Sequence, residues 1–125
     1  MKSLVSFFEI PAADFERAVK FYENVFSVKM IVYDCVDEMM AFFPPAEGKK
    51  CEGGVSWAKG FEPSRDGVLI SLACESIEES LTAVEANGGS IQTPKTKILS
   101  DDRGWFATFY DCEGNKVGLY EDLHD

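Results

Sequence analysis

The sequence predicts an α+β fold built from two tandem β-α-β-β-β modules that together form a cup-shaped mixed sheet with helices on its outer face. Three observations carry the prediction. Each half opens with a short run of β-formers, Leu4–Ile10 and Gly67–Cys74. Each run leads into a helix-capping residue followed by apolar positions at three- and four-residue steps. Each helix is followed by three further β-type runs set apart by turn residues.

Pro11 closes the first run, and Asp14 stands where an N-cap belongs, because its carboxylate can accept an orphan backbone N–H of the first turn. Phe15, Ala18, Val19, Tyr22, Val25 and Phe26 then recur with Glu16, Arg17, Lys20 and Glu23 between them, the pattern of a helix with one buried face. Residues 28–33, 38–43 and 54–59 follow as strands, with Asp34–Asp37 and Pro44–Gly53 as turns. In the second half, Ser76 and Glu79 have the spacing of a capping box, and Ile77, Leu81 and Val84 line the buried face of a helix that Gly88–Gly89 end. Strands are expected near 90–93, 105–110 and 116–121, with a tight turn at Asp111–Asn115.

The halves superpose at an offset of 62 residues: Asp14 meets Ser76, Phe15 meets Ile77, Val19 meets Leu81, Phe7 meets Leu69 and Ile10 meets Leu72. Agreement of strand, cap and helix at one offset marks a repeat. The modules fall at about 3–60 and 65–122, within one domain spanning 1–125.

A formal charge of −10 argues against nucleic acid and anionic membrane as partners, since both repel an acidic surface. Glu9 and Asp14 interrupt the N-terminal apolar stretch too early for a signal peptide, which makes the cytoplasm the expected compartment. Cys35, Cys51, Cys74 and Cys112 contain no C-x-x-C pair, and the only histidine is His124 near the C-terminus. Free thiols fit better than a zinc site, and no Ser/His/Asp or Cys/His constellation is available.

A single helix covers one face of each sheet, so the other face packs on something or lines a cavity. Period-two alternation sends Phe8 and Ile10 to the helix and leaves Phe7 and Glu9 on the open side. In the second module it leaves Leu69, Ser71 and Ala73 open, with Lys116, Gly118 and Tyr120 from the last strand, while Val117 and Leu119 face the helix. An apolar concave floor with a few polar groups is the usual form of a small-molecule site.

The segments FFEIPAADFERAVKFYENVF (7–26), IEESLTAVEANGG with the PKTKI after it (77–98), and GWFATFYDCEGNKVGLYE (104–121) resemble the vicinal oxygen chelate superfamily of glyoxalases, bleomycin-resistance proteins and extradiol dioxygenases. The resemblance covers almost the whole chain. It implies paired βαβββ modules whose open faces form a cup, with apolar faces and sheet edges covered by pairing within or between chains. In metal-using relatives, histidines and glutamates on the opening and closing strands of each module hold a divalent ion. Carried over, those positions fall at Phe7, Leu69, Gly118, and Ser56 or Trp57. Phe, Leu and Gly lack donor atoms and Ser is a poor ligand for such ions, so no metal or other cofactor is expected.

The reading that follows is a metal-independent protein that holds an apolar or aromatic ligand against Phe7, Glu9, Ser56, Trp57, Leu69, Ser71, Lys116 and Tyr120, and that pairs as a homodimer. Glu9 is the catalytic candidate if the chain is instead a lyase- or isomerase-type enzyme. A third reading is an interaction domain whose cup is filled by its own side chains. Met39–Met40 with Phe42–Phe43 could form a cup wall, a dimer contact or core, and Asp101, Asp102 and Arg103 could lie at the cup mouth.

Overall fold

The computed structural model describes residues 4–99 and 104–123. The elements run β1 (Phe8–Pro11), α1 (Phe15–Phe26), β2 (Ile31–Asp34), β3 (Glu38–Phe42) and β4 (Gly53–Ala58). The second set is β5 (Ser71–Ala73), α2 (Ile77–Ala86), β6 (Ser90–Lys97), β7 (Gly104–Tyr110) and β8 (Lys116–Asp122). The doubled α+β order is therefore as expected. The strands form two four-stranded sheets, ordered β1-β4-β3-β2 and β5-β8-β7-β6, rather than one hydrogen-bonded sheet. Each is mixed: β1 runs parallel to β4 and β5 parallel to β8, and the remaining pairs are antiparallel.

The opening strands are shorter than their β-forming runs, because a ladder extends only as far as its partner. β1 pairs from Phe8 opposite Gly53, and β5 from Ser71 opposite Gly118. Leu4 and Val68, upstream of those points, are 93% and 88% exposed. β6 runs longer than expected because two register shifts accommodate Pro94, whose missing N–H would break a regular ladder. Asp14 caps α1 through the Arg17 N–H, and Ser76 caps α2 through the Glu79 N–H. The Ile77 N–H at the start of α2 goes to the buried carboxylate of Glu121 at 2.7 Å. Gly88 follows α2 with a φ of +94°, a conformation that costs glycine little.

Ile10, Ala41 and Val55 form the helix face of the first sheet, and Ala107, Phe109, Val117 and Leu119 that of the second. α1 buries more than the single stripe the sequence suggested. Phe21 lies outside that stripe yet is 2% exposed, because its ring packs 6.0 Å from Phe109 of the other unit. Gly89 permits this approach, since a Cβ there would meet the Phe21 ring at 3.0 Å and the Tyr110 carbonyl at 2.6 Å.

Polar groups fix the same contact. The turn Asp111–Asn115 presses onto the start of the first unit, and Asp111, Asn115 and Tyr22 are at most 4% exposed. Asp111 accepts the Glu113 and Asn115 N–H groups on Oδ1, and the Tyr22 hydroxyl (2.6 Å) and Asn115 Nδ2 on Oδ2. Asn115 Nδ2 also donates to the Pro11 carbonyl, while its Oδ1 accepts the Ser64 N–H. Glu113 takes the Ala13 and Asp14 N–H groups on Oε1 at 2.8 and 2.7 Å, and Arg17 Nε on Oε2 at 2.6 Å. Among the described residues every buried side-chain N or O has a partner. Burial, then the Asp111 charge and hydrogen bond, hold the Tyr22 phenol well above its ordinary pKa and keep it a donor.

Burial raises the Glu113 pKa, but the Arg17 hydrogen bond and the Asp14 and Ala13 N–H groups outweigh it and set it below the ordinary carboxylate value. Its contribution is therefore full above the unfolded-state pKa of about 4.3 and is lost as pH falls through the lower folded value. Glu113→Gln should lower unfolding stability by about 2 kcal/mol at neutral pH. It should also flatten the acid-side decline below about pH 5. Denaturant unfolding across that range checks both, and parallel pH profiles for the two proteins would contradict the assignment.

Candidate functional site

On each sheet the face away from its helix is open. In the first, the ladder Glu9–Gly54–Phe42–Ile31 and the neighbouring pairs Met40–Ser56 and Met40–Tyr33 define that face. Phe7 joins it through an edge-on contact with Phe42 at 5.5 Å, and Phe42 makes another with Tyr33 at 5.3 Å. The result is an aromatic row crossing the sheet. Ser56, 1% exposed, donates its hydroxyl to Glu9 Oε1 at 2.7 Å. One carboxylate thus stands beside the row, oriented by a buried hydroxyl. Ile31, Tyr33, Met40, Phe42, Pro45 and Cys51 line a shallow, open depression of about 510 Å3 on this face, which Phe7, Glu9 and Ser56 do not border.

On the second sheet, Ser71 pairs with Gly118 and Ala73 with Tyr120, opposite in sense to buried Leu119. Phe106, Thr108 and Tyr110 continue the face across β7. Thr108 donates to Gln92, and the Arg65 guanidinium lies 4.4 Å from the centre of the Tyr110 ring. Leu69, two residues before β5, is 48% exposed. The expected residues Phe7, Glu9 and Ser56 therefore meet on one open face, and Ser71, Lys116 and Tyr120 on the other. Glu9 and Lys116 also border a shared cavity of about 290 Å3 at the seam, with Pro11, Ile70 and Val117 in its wall.

Trp57 requires a correction. The register places Ser56, not Trp57, beside Glu9, and sends Trp57 to the helix side opposite Met39. There it lines an outer groove of about 650 Å3 with Phe15, Val19 and Val32. Met40 and Phe42 belong to the open face, whereas Met39 and Phe43 turn inward, Phe43 meeting Tyr22 at 5.6 Å. Asp101, Asp102, Arg103 and His124 lie outside the described residues. Tyr33 and Gln92 were not singled out from the sequence. Alternation in 31–34 carries the signal for Tyr33, whereas the irregular pairing of β6 hides Gln92.

The positions that the resemblance assigns to metal ligands do not supply a divalent-ion donor set. Phe7, Leu69 and Gly118 carry no donor, and the Ser56 hydroxyl is committed to Glu9. Gly118 is also crowded, since a Cβ there would run into Ser71 Oγ. Among the described residues no group of three or more His, Cys, Asp or Glu is placed to hold an ion. All four cysteines are unpaired. Burial, followed by the charges of Glu113 and Asp111, pushes the Cys112 thiol up to about 12, so it stays protonated near neutrality. Among the described residues no helix is long and apolar enough to cross a membrane.

Comparison with known proteins agrees with this architecture. A glyoxylase-like domain-containing protein of Didymella fabae is 32% identical over 115 residues, covering 89% of this chain and 88% of its own. Glyoxalase I from Zea mays superposes with a TM-score of 0.73 at 21% identity over 93% of this chain, which spans only 45% of that enzyme. An antibiotic-binding protein from a Streptomyces species superposes with a TM-score of 0.66 at 18% identity, covering 98% of each chain. The family model for the Glyoxalase/Bleomycin resistance protein/Dioxygenase superfamily matches residues 4–119. With that match running from the segment before β1 into β8, the chain belongs to the glyoxalase/bleomycin-resistance/dioxygenase superfamily.

Proposed function

We propose that this protein binds an apolar or aromatic small molecule on its open faces without a metal ion, in the manner of a sequestering member of the superfamily. The observation that carries the reading is the Phe7–Phe42–Tyr33 row beside the lone Glu9–Ser56 pair, where metal-using relatives would place donors. Aromatic side chains give a planar ligand area and stacking geometry. Glu9 is exposed in the free protein, and a ligand that covers its carboxylate is disfavoured unless it can neutralise or hydrogen-bond it. The favoured ligand therefore carries a cationic or donor group toward Glu9. Binding of an antibiotic by the Streptomyces protein of the same fold is consistent with this role. Four unpaired thiols favour a reducing compartment, the cytoplasm.

A second reading draws on the Ser56–Glu9 hydrogen bond. A carboxylate held in one orientation can act as general base or acid in a lyase or isomerase reaction. Turnover of a bound compound that Glu9→Gln abolishes would favour that reading over sequestration.

Apolar burial contributes about 25 cal/mol per Å2 before the cost of immobilisation. Isothermal titration with a panel of aromatic amines and their neutral isosteres should show binding with a negative heat-capacity change. Leu69→Glu should abolish it while leaving the fold intact, and Glu9→Gln should weaken the amines at least about tenfold more than the isosteres. Equal loss for both classes would remove Glu9 from the site. Chelator should leave the melting temperature unchanged, and a fall on treatment with EDTA would show that a resident ion had been missed.

The chain is also proposed to be a homodimer, because apolar residues such as Ile31, Val32, Tyr33 and Leu69 are 42–55% exposed along sheet edges and open faces. Sedimentation equilibrium at micromolar concentration should give twice the chain mass, and a monomer would contradict it.

A further inference from the structure

We infer that the cleft between the two units at the end of α1 is a second binding site, which takes an uncharged, hydrocarbon-rich small molecule. Phe8, Phe26, Val28, Phe43, Pro44 and Leu72 wall a space of about 550 Å3 there, within the usual size of small-molecule sites. Phe8 and Leu72 turn to the helix side of their sheets, and Glu9 does not border the cleft. The site lies apart from Glu9 and the aromatic row, and it stands or falls independently of them.

A difference between the two units opens the cleft. In each unit a turn precedes the strand that pairs with the opening strand, 111–115 before β8 and 43–52 before β4. Asp111–Asn115 reaches across to the first unit, where Asn115 donates to the Pro11 carbonyl and Glu113 accepts the Ala13 and Asp14 N–H groups. The hydrogen bonds of 43–52 stay within the first unit. There the Cys51 thiol donates to the Phe43 and Gly53 carbonyls, and the Lys49 N–H donates to the Ala46 carbonyl. Among the described residues no hydrogen bond joins 43–52 to the segment from β5 into α2. Pro44, Pro45 and Ala46 bring no polar side chain to this junction, and the prolines bring no N–H. One junction is clasped by polar groups, and the other is left as an apolar gap.

The wall is fixed before anything binds. Phe43 and Phe26 pack on the buried Tyr22 ring at 5.6 and 6.1 Å, and Phe8 lies 6.0 Å from Phe43. Gly53 makes room for the Phe8 ring, since a Cβ there would meet its carbons at 2.3 and 2.4 Å. Phe8, Phe26, Val28, Phe43 and Leu72 are only partly buried at the margin of the core. Covering them removes apolar surface from water with little ordering cost in the protein. Glu52 is the one charged residue of the lining, and it is exposed. It repels an anion. A cation would pair with it only in solvent, where such a pair contributes little, and would lose its water for no partner further in.

Fluorescence titration with N-phenylnaphthylamine, an uncharged diaryl amine, tests the site, with anilinonaphthalene sulfonate as its anionic counterpart. The uncharged probe should bind saturably with blue-shifted emission, and the sulfonate at least about tenfold more weakly. Val28→Glu, which sets a charge in the wall, should weaken the uncharged probe at least about tenfold. Ala46→Trp, at an exposed position of the lining, should weaken it by filling the cleft, and decides the matter if circular dichroism shows Val28→Glu unfolded. Leu69→Glu alters the open faces and should leave the probe's affinity within about twofold. Cleft binding without binding of aromatic amines at the open faces would uphold this site and remove only the reading above. No saturable binding, affinity indifferent to both cleft variants, or affinity lost with Leu69→Glu would overturn the assignment. Affinity that falls as protein concentration rises would put a second copy of the chain in the cleft, and would overturn it too.

Discussion

The hydrogen bond from the Tyr22 hydroxyl to Asp111 is the contact on which the packing of the two units depends. It lies where a fully buried α1 residue meets the β7–β8 turn, and each partner would be costly to bury alone. Asp111 also organises its own turn through two backbone N–H groups, so one carboxylate shapes the turn and docks it. Asn115 and Glu113 extend the contact to Pro11, Ala13, Asp14 and Arg17. The segment held this way is the link between β1 and α1. Glu9 projects from that same β1, so a turn in the second unit holds the strand that carries the carboxylate of the first.

Much of this was legible in the sequence where local chemistry decides. Asp14 and Ser76 cap the helices they were assigned, Gly88 takes the positive φ, and the alternation of Phe8–Glu9–Ile10 sorts side chains to the correct faces. The capping-box spacing at Ser76–Glu79 was visible, but the use of Glu121 at the Ile77 N–H depends on a contact 44 residues away. Phe21 lies outside the apolar stripe read from the sequence, and its burial depends on Phe109, which belongs to the other unit. The choice between Ser56 and Trp57 turned on a one-residue register that the drift between the repeats obscured, and a one-residue slip exchanges the faces of a strand.

A shared fold takes its chemistry from the side chains at a few positions of its open face. At positions that the resemblance assigns to metal ligands, Phe7 and Leu69 offer apolar area, and Gly118 lies so near Ser71 that a longer side chain would need local rearrangement. On the same face the Glu9 carboxylate accepts the neutral Ser56 hydroxyl. The aromatic row runs out to β2, the exposed edge, so the apolar face and the edge form one continuous surface.

Native mass spectrometry of freshly purified protein tests metal-free ligand binding most directly, because it weighs whatever the open faces retain. The account predicts an organic adduct that leaves on denaturation, with no accompanying metal mass. One divalent ion per chain, with no organic adduct, would contradict it.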